Sequence, residues 1–189
     1  EKMWNAVLEA GEEFGLMVIA PAHHRRIAAG ILSWGQDLDH ETSPFQVNLA
    51  YQVPRNKAAD YIGKEALEKQ RAIIDEGNAP FKMKMVGITF GGKEITDYAP
   101  DFWLIEDMDG NEMGFVTSPW WSPELGTNIG LAWVPWSSSE VGTKLQVKLP
   151  DEYSDGGPAQ GEVVEVPFRE SVNPNKREVQ KAKGLDYAD

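Results

Sequence analysis

The chain has 189 residues and a net charge of −12, with 18 Lys and Arg against 30 Asp and Glu. That balance excludes a general nucleic-acid binder, which needs a basic face to neutralise phosphates, while leaving room for a local basic pocket for an anionic ligand. Hydrophobic content of 41% and charged content of 25% predict a packed core, the absence of Cys removes disulfides and thiolate metal sites, and no apolar run approaches the roughly 20 residues that span a bilayer.

The first residues, Glu1-Lys2-Met3-Trp4, open directly into helical pattern with no leader signature. With Met third rather than first, the chain reads as the back part of a longer one. Trp4, Val7, Leu8, Gly11 and Phe14 fall at helical spacing, with Glu9, Glu12 and Glu13 on the other face and Gly15 as a stop. Leu16 to Ile19 predicts a short buried strand, cut by Pro21. A helix is expected from about His23 to Ser33, with Ile27, Ala28, Ile31 and Leu32 on one face. Trp34 to Pro44 reads as a loop, since Gly35, Asp37, Asp39, Glu41 and Thr42-Ser43-Pro44 favour turns.

Phe45 to Val53 has the cleanest strand pattern in the chain. Phe45, Val47, Leu49, Tyr51 and Val53 alternate with Gln46, Asn48, Ala50 and Gln52. Pro54 ends it. A helix follows from about Gly63 to Asp75, stopped by Glu76-Gly77-Asn78-Ala79-Pro80, and a domain boundary is expected there. Short strands with Gly and Pro turns then take over at Phe81–Phe90, Phe102–Asp107, Glu112–Ser118, Asn128–Val134, Thr143–Leu149 and Gly161–Phe168. Asp109-Gly110 is a hairpin signal, and the regular spacing predicts a small barrel or sandwich. Arg169 to Asp189 reads as a polar, extended tail.

Several constellations invite a chemical reading. His23-His24 with Asp37, Asp39 and His40 match no defensible metal-ligand spacing, and adjacent helical His side chains diverge by about 100°. Asp37 and Asp39 are either an acid–base pair or turn caps. Arg25 and Arg26 lie near the start of their helix, where a positive charge opposes the helix dipole. This invites either an acidic side chain or a ligand carboxylate. Seven Trp is a high count. Trp120-Trp121, bracketed by Ser118-Pro119 and Ser122-Pro123, reads as a loop between strands, with one ring packed inward and the other facing a cleft where it could stack on a flat heterocycle; Trp34 is similar.

Three blocks in this order carry a family resemblance: RIAAGILSWGQDLDHETSPF from Arg26 to Phe45, YIGKEAL from Tyr61 to Leu67, and GFVTSPWWSPELGTNIGLAWVP from Gly114 to Pro135, closed by the run ending at Phe168. They resemble the C-terminal half of the folate-dependent aminomethyltransferase superfamily, that of the glycine cleavage T-protein. Ala22 stands where T-proteins have Arg, Ala28 where they have Glu, and Trp34 where they usually have Tyr. The Pro before Ala22 and the Ser before Trp34 resemble more the dimethylsulfoniopropionate demethylase branch.

The resemblance implies an α+β fold. Residues 1–79 would form the end of a mixed α/β folate-binding domain, 80–168 an antiparallel β-barrel, and 169–189 the tail. It implies a transferase moving a methyl group from a small methylated donor to tetrahydrofolate, bound in a hole shared with an N-terminal half of the same enzyme that carries the catalytic Asp. No catalytic residue is therefore expected in this sequence. Cofactor contacts are expected from Arg26 for charge and from Trp34 and Trp121 for stacking. No metal, nucleic acid or membrane is expected, self-association is left open, and a cytoplasmic location is expected. The rival readings are a glycine-cleavage aminomethyltransferase and a non-catalytic subunit of the same fold.

Overall fold

The computed structural model describes residues 1–19, 22–55 and 57–168. The predicted tail lies outside the described residues. Six strands, β1 (Met83–Phe90), β2 (Trp103–Glu106), β3 (Glu112–Ser122), β4 (Thr127–Pro135), β5 (Lys144–Val147) and β6 (Ala159–Val164), close into an antiparallel barrel in the order β1-β4-β3-β2-β5-β6. The circuit closes because β6 returns to β1, pairing Val164 with Gly87 and Gly161 with Phe90. Closure leaves no strand edge unpaired in the ring. All six barrel strands were legible in the sequence because each alternates inward apolar residues with outward ones.

The alternation sorts the residues into two cores. Val86, Ile88 and Phe90 of β1 join Ile105, Val116, Ala132, Val134, Leu145, Val147 and Val163 in one cluster. As in other small barrels, side chains fill the interior. Met85 faces the other way and packs with Ile129 and Leu131 against Ile27, Ala28 and Val47. The second cluster is the seam between the barrel and the preceding chain. Gly114 permits close approach of β3 and β4 there, since a Cβ on it would stand 2.0 Å from the Trp133 carbonyl oxygen.

The helices are α1 (Lys2–Gly11), α2 (His23–Ala28) and α3 (Lys64–Asp75). Helix α2 is shorter than the sequence suggests. It ends in a Schellman arrangement, with Gly30 N–H donating to the Ile27 carbonyl at 2.9 Å and Ile31 N–H to the Arg26 carbonyl at 2.7 Å. Gly30 sits at φ 68°, the left-handed region such a stop requires. Helix α3 ends the same way through Gly77 and Asn78.

Two predicted strands do not form. Leu16 to Ile19 is irregular and exposed, because no partner lies beside it among the described residues. Residues 45–53 form turns and a short 3-10 helix, Ala50–Gln52. The alternation is real in burial from Phe45 to Asn48, since Phe45 and Val47 are buried while Gln46 is half-buried and Asn48 exposed. Side-chain amides take the place of a ladder: Gln46 Nε2 donates to the Met83 carbonyl and Asn48 Nδ2 to the Met85 carbonyl, while Met85 N–H donates to the Gln46 carbonyl. Asn48 at φ 61° turns the chain off the strand path. Trp120-Trp121 also departs from expectation. Both rings lie within β3, not in a loop, because β3 continues to Ser122 in register with Thr127.

Candidate functional site

The loop after α2 is held against the barrel through one buried carboxylate. Asp37 is 1% exposed. Its Oδ2 accepts from Arg26 Nη1 at 2.8 Å and from the Ser33 backbone N–H at 2.7 Å; its Oδ1 accepts from Thr117 Oγ1 at 2.5 Å and Ser118 Oγ at 2.6 Å. The Asp37 carbonyl also accepts from Trp133 Nε1 at 2.9 Å. A buried carboxylate is tolerated only when paired and hydrogen-bonded, and this one is both.

A β-bulge explains how two consecutive hydroxyls reach one oxygen. Neighbouring side chains of a regular strand point to opposite faces. The β3–β4 register slips between Val116 and Ser118, leaving Thr117 as the extra residue. The slip turns both Thr117 and Ser118 toward Asp37, while Val116 stays in the barrel interior.

Arg26 is fully engaged. A guanidinium carries five N–H donors. Nε donates to His23 Nδ1, Nη1 to Asp37 and the Ile31 carbonyl, and Nη2 to Gln36 Oε1 and Ser118 Oγ. Of the two partners weighed for Arg26 in the sequence, the structure supplies the acidic side chain. His23 in turn stacks on Trp120 at 5.2 Å and 15°, with Tyr98 tilted beside it. Burial, with the Arg26 charge adding to it and the Asp37 charge opposing it, holds His23 below the usual imidazole range.

The two other residues expected to touch a cofactor sit apart from this network. Trp34 is 68% exposed, and its backbone forms an isolated bridge with Leu38. Trp121 is half-buried in β3, its backbone N–H donating to the Ile95 carbonyl at 2.8 Å. Next to Trp34, a cleft of about 400 Å³ is lined by Gly35, Gln36, Asp39, Glu41, Phe115 and Trp133, among others. Phe102 stacks on Phe115 there at 5.3 Å. Phe102, Phe115 and Trp133 thus line the cleft beside the Asp39 and Glu41 carboxylates, while the Gln36 amide is held by Arg26 and the Thr117 carbonyl. Among the described residues, no group of three or more His, Asp or Glu is arranged to hold a metal ion, and no helix is long and apolar enough to cross a membrane.

Sequence reasoning weighed Asp37 without finding its hub role, and it missed Gln36, Thr117 and Trp133. The only local signal was a carboxylate in a glycine turn. Its barrel partners Thr117 and Ser118 lie about eighty residues away, and nothing in the strand pattern reports a bulge.

Residues 83–169 match the family model of the glycine cleavage T-protein C-terminal barrel domain. The chain belongs to the folate-dependent aminomethyltransferase superfamily. It corresponds to the C-terminal region of that superfamily. It is 35% identical over 129 residues to an aminomethyltransferase of a Geobacillus species, a match covering 67% of this chain and 33% of that one. It is 33% identical over 149 residues to a dimethylsulfoniopropionate demethylase of Ruegeria pomeroyi, covering 79% of this chain and 38% of that one. A solved structure of aminomethyltransferase T from Bartonella henselae matches with a TM-score of 0.62 at 24% identity, over 78% of this chain and 38% of that one, and shows the shared fold. The chain thus spans about a third to two-fifths of the length of these superfamily members.

Proposed function

We propose that this chain supplies one wall of the folate site of a tetrahydrofolate-dependent one-carbon transferase. The observation that carries this reading is the Asp37 hub, which fixes the Trp34 turn and its aromatic cleft against a barrel of the superfamily. Tetrahydrofolate, when bound, supplies the nitrogen that takes up the one-carbon unit. The chain's own part is binding and orientation. Trp34 offers an open ring face for stacking, and Trp121 a second, half-covered one. Arg26 acts through position, because its donors hold Gln36, Asp37 and Ser118 in place.

The donor we favour is a small methylated compound, with a sulfonium such as dimethylsulfoniopropionate the leading case. The similarity to a dimethylsulfoniopropionate demethylase supports it, and so do the Pro before Ala22 and the Ser before Trp34, while the departures from the T-protein pattern at Ala22, Ala28 and Trp34 count against glycine cleavage. A glycine-cleavage aminomethyltransferase is the second reading, favoured by the several aminomethyltransferases among the relatives. Residues 1–79 then complete a folate domain with an N-terminal half, to which the exposed apolar residues Trp4, Phe14, Met17 and Ile19 offer a face.

Calorimetric titration of tetrahydrofolate into the complete assembly tests the reading. Binding that weakens on Trp34→Ala is the expected result. No binding would leave a non-catalytic subunit of the same fold. Product analysis with a sulfonium donor against an aminomethylated carrier then separates the two enzyme readings.

A further inference from the structure

His23 holds the Arg26 guanidinium by the nitrogen that the Asp37 turn leaves over. It precedes Arg26 by three residues on α2, the spacing that puts two side chains on one helix face. Its Nδ1 accepts from Arg26 Nε at 3.3 Å. The half-buried imidazole is kept in that direction by its neighbours: Trp120 of β3 stacks on it at 5.2 Å and 15°, and Tyr98 lies tilted against it at 5.3 Å and 57°. A guanidinium is a planar, rigid fork, so partners at both ends set its orientation. Asp37, Gln36 and Ser118 take Nη1 and Nη2, and His23 takes Nε. Gln36 in turn lines the cleft beside Trp34.

We infer that His23 is a positioning residue for the folate wall: as the neutral Nε2–H tautomer it fixes Arg26, and Arg26 carries that constraint to Gln36 and the Trp34 turn. The ligand in this role is the one of the folate reading above; the contact with Arg26 does not depend on it. A ring nitrogen that accepts a hydrogen bond carries no proton, so the one N–H of the imidazole is on Nε2. Protonation would place an N–H on Nδ1, facing the Arg26 Nε–H, and set two positive charges side by side. The contact then opens and the fork loses one of its two anchors. The charged and titratable groups that face His23 among the described residues are Arg26 on its own helix, Asp37 from the turn and Tyr98 from the segment between β1 and β2; β3 presents the uncharged Trp120. Burial and the Arg26 charge favour the neutral ring and Asp37 opposes them, with the balance on the neutral side.

The test compares two variants in the complete assembly with its N-terminal half. His23→Phe keeps a flat ring against Trp120 and accepts nothing; His23→Asn offers Oδ1 as an acceptor in place of Nδ1 and does not titrate. Two quantities are read from about pH 8 to pH 5.5: amide protection of residues 33–38, corrected for the intrinsic pH dependence of exchange, and tetrahydrofolate affinity by calorimetry. In the unsubstituted assembly both should fall several-fold on acidification. His23→Phe should lower both several-fold at every pH, and His23→Asn should restore most of each and remove the acid-induced fall. Equal protection in the Phe and Asn variants would overturn the positioning of Arg26, since stacking alone would then suffice. Protection that falls while affinity holds would overturn the link from His23 to the ligand. Absence of tetrahydrofolate binding in the unsubstituted assembly would instead sink the folate reading, and the protection of residues 33–38 would still decide what His23 does to Arg26.

Discussion

The Asp37 carboxylate accepts a 2.5 Å hydrogen bond from Thr117, eighty residues further along the chain. Both residues are 1% exposed, so the bond forms where water does not compete. Asp37 also pairs with Arg26, and the helix, the turn and the barrel therefore share one electrostatic centre.

Asp37→Asn keeps the shape of the side chain and removes its charge. It leaves the Arg26 guanidinium, only 17% exposed, without its counter-charge. Breaking a buried pair from one side costs about 3 kcal/mol. Urea unfolding should show a midpoint lowered accordingly at an unchanged slope. A loss below about 0.5 kcal/mol, the usual range for surface changes, would show that the pair is no better than a surface one.

Gly30→Ala tests the stop of α2. The left-handed conformation costs a residue with a Cβ about 1–2 kcal/mol, and here the new Cβ also meets Val166 Cγ1 at 2.5 Å. The variant should unfold at lower urea and expose the seam first, visible as faster amide exchange in residues 26–31. Unchanged exchange there would remove the glycine from the account.

His23 makes stability depend on pH. Its folded pKa lies below the ordinary 6.5, so between the two values the unfolded chain binds more protons than the folded one. The stability is therefore fully present above pH 6.5 and declines as the pH falls from there toward the folded value. Thermal unfolding from about pH 8 to pH 5 should show this decline, and His23→Gln should flatten it. A rise in melting temperature through that range on acidification would reverse the assigned sign.

Trp34→Ala separates binding from folding. With the ring 68% exposed, its removal should change stability by no more than about 0.5 kcal/mol. Loss of one stacking partner, worth about 0.5–1.5 kcal/mol, should weaken tetrahydrofolate binding by about 2- to 10-fold in the complete assembly. Equal affinity for both proteins would remove Trp34 from the site.

Local pattern alone determined most of the barrel. The alternation in Met83–Phe90 and Thr127–Pro135, the Asp109-Gly110 hairpin and the glycine stop at Gly77 depend on residues within a few positions of each other, and such signals survive in one dimension. The same local signal failed at residues 45–53, where apolar alternation was genuine but the ladder partner was not. Gln46 and Asn48 side chains took over the hydrogen bonds that a neighbouring strand would have made. Only the folded chain decided what Asp37 and Arg26 do, because their partners Thr117 and Ser118 come into reach through barrel closure and a bulge that shifts register by one residue. Composition and spacing report which side of a strand a residue takes. Which distant element meets that side is decided by packing, and here packing turned a loop carboxylate into the centre that joins helix, turn and barrel.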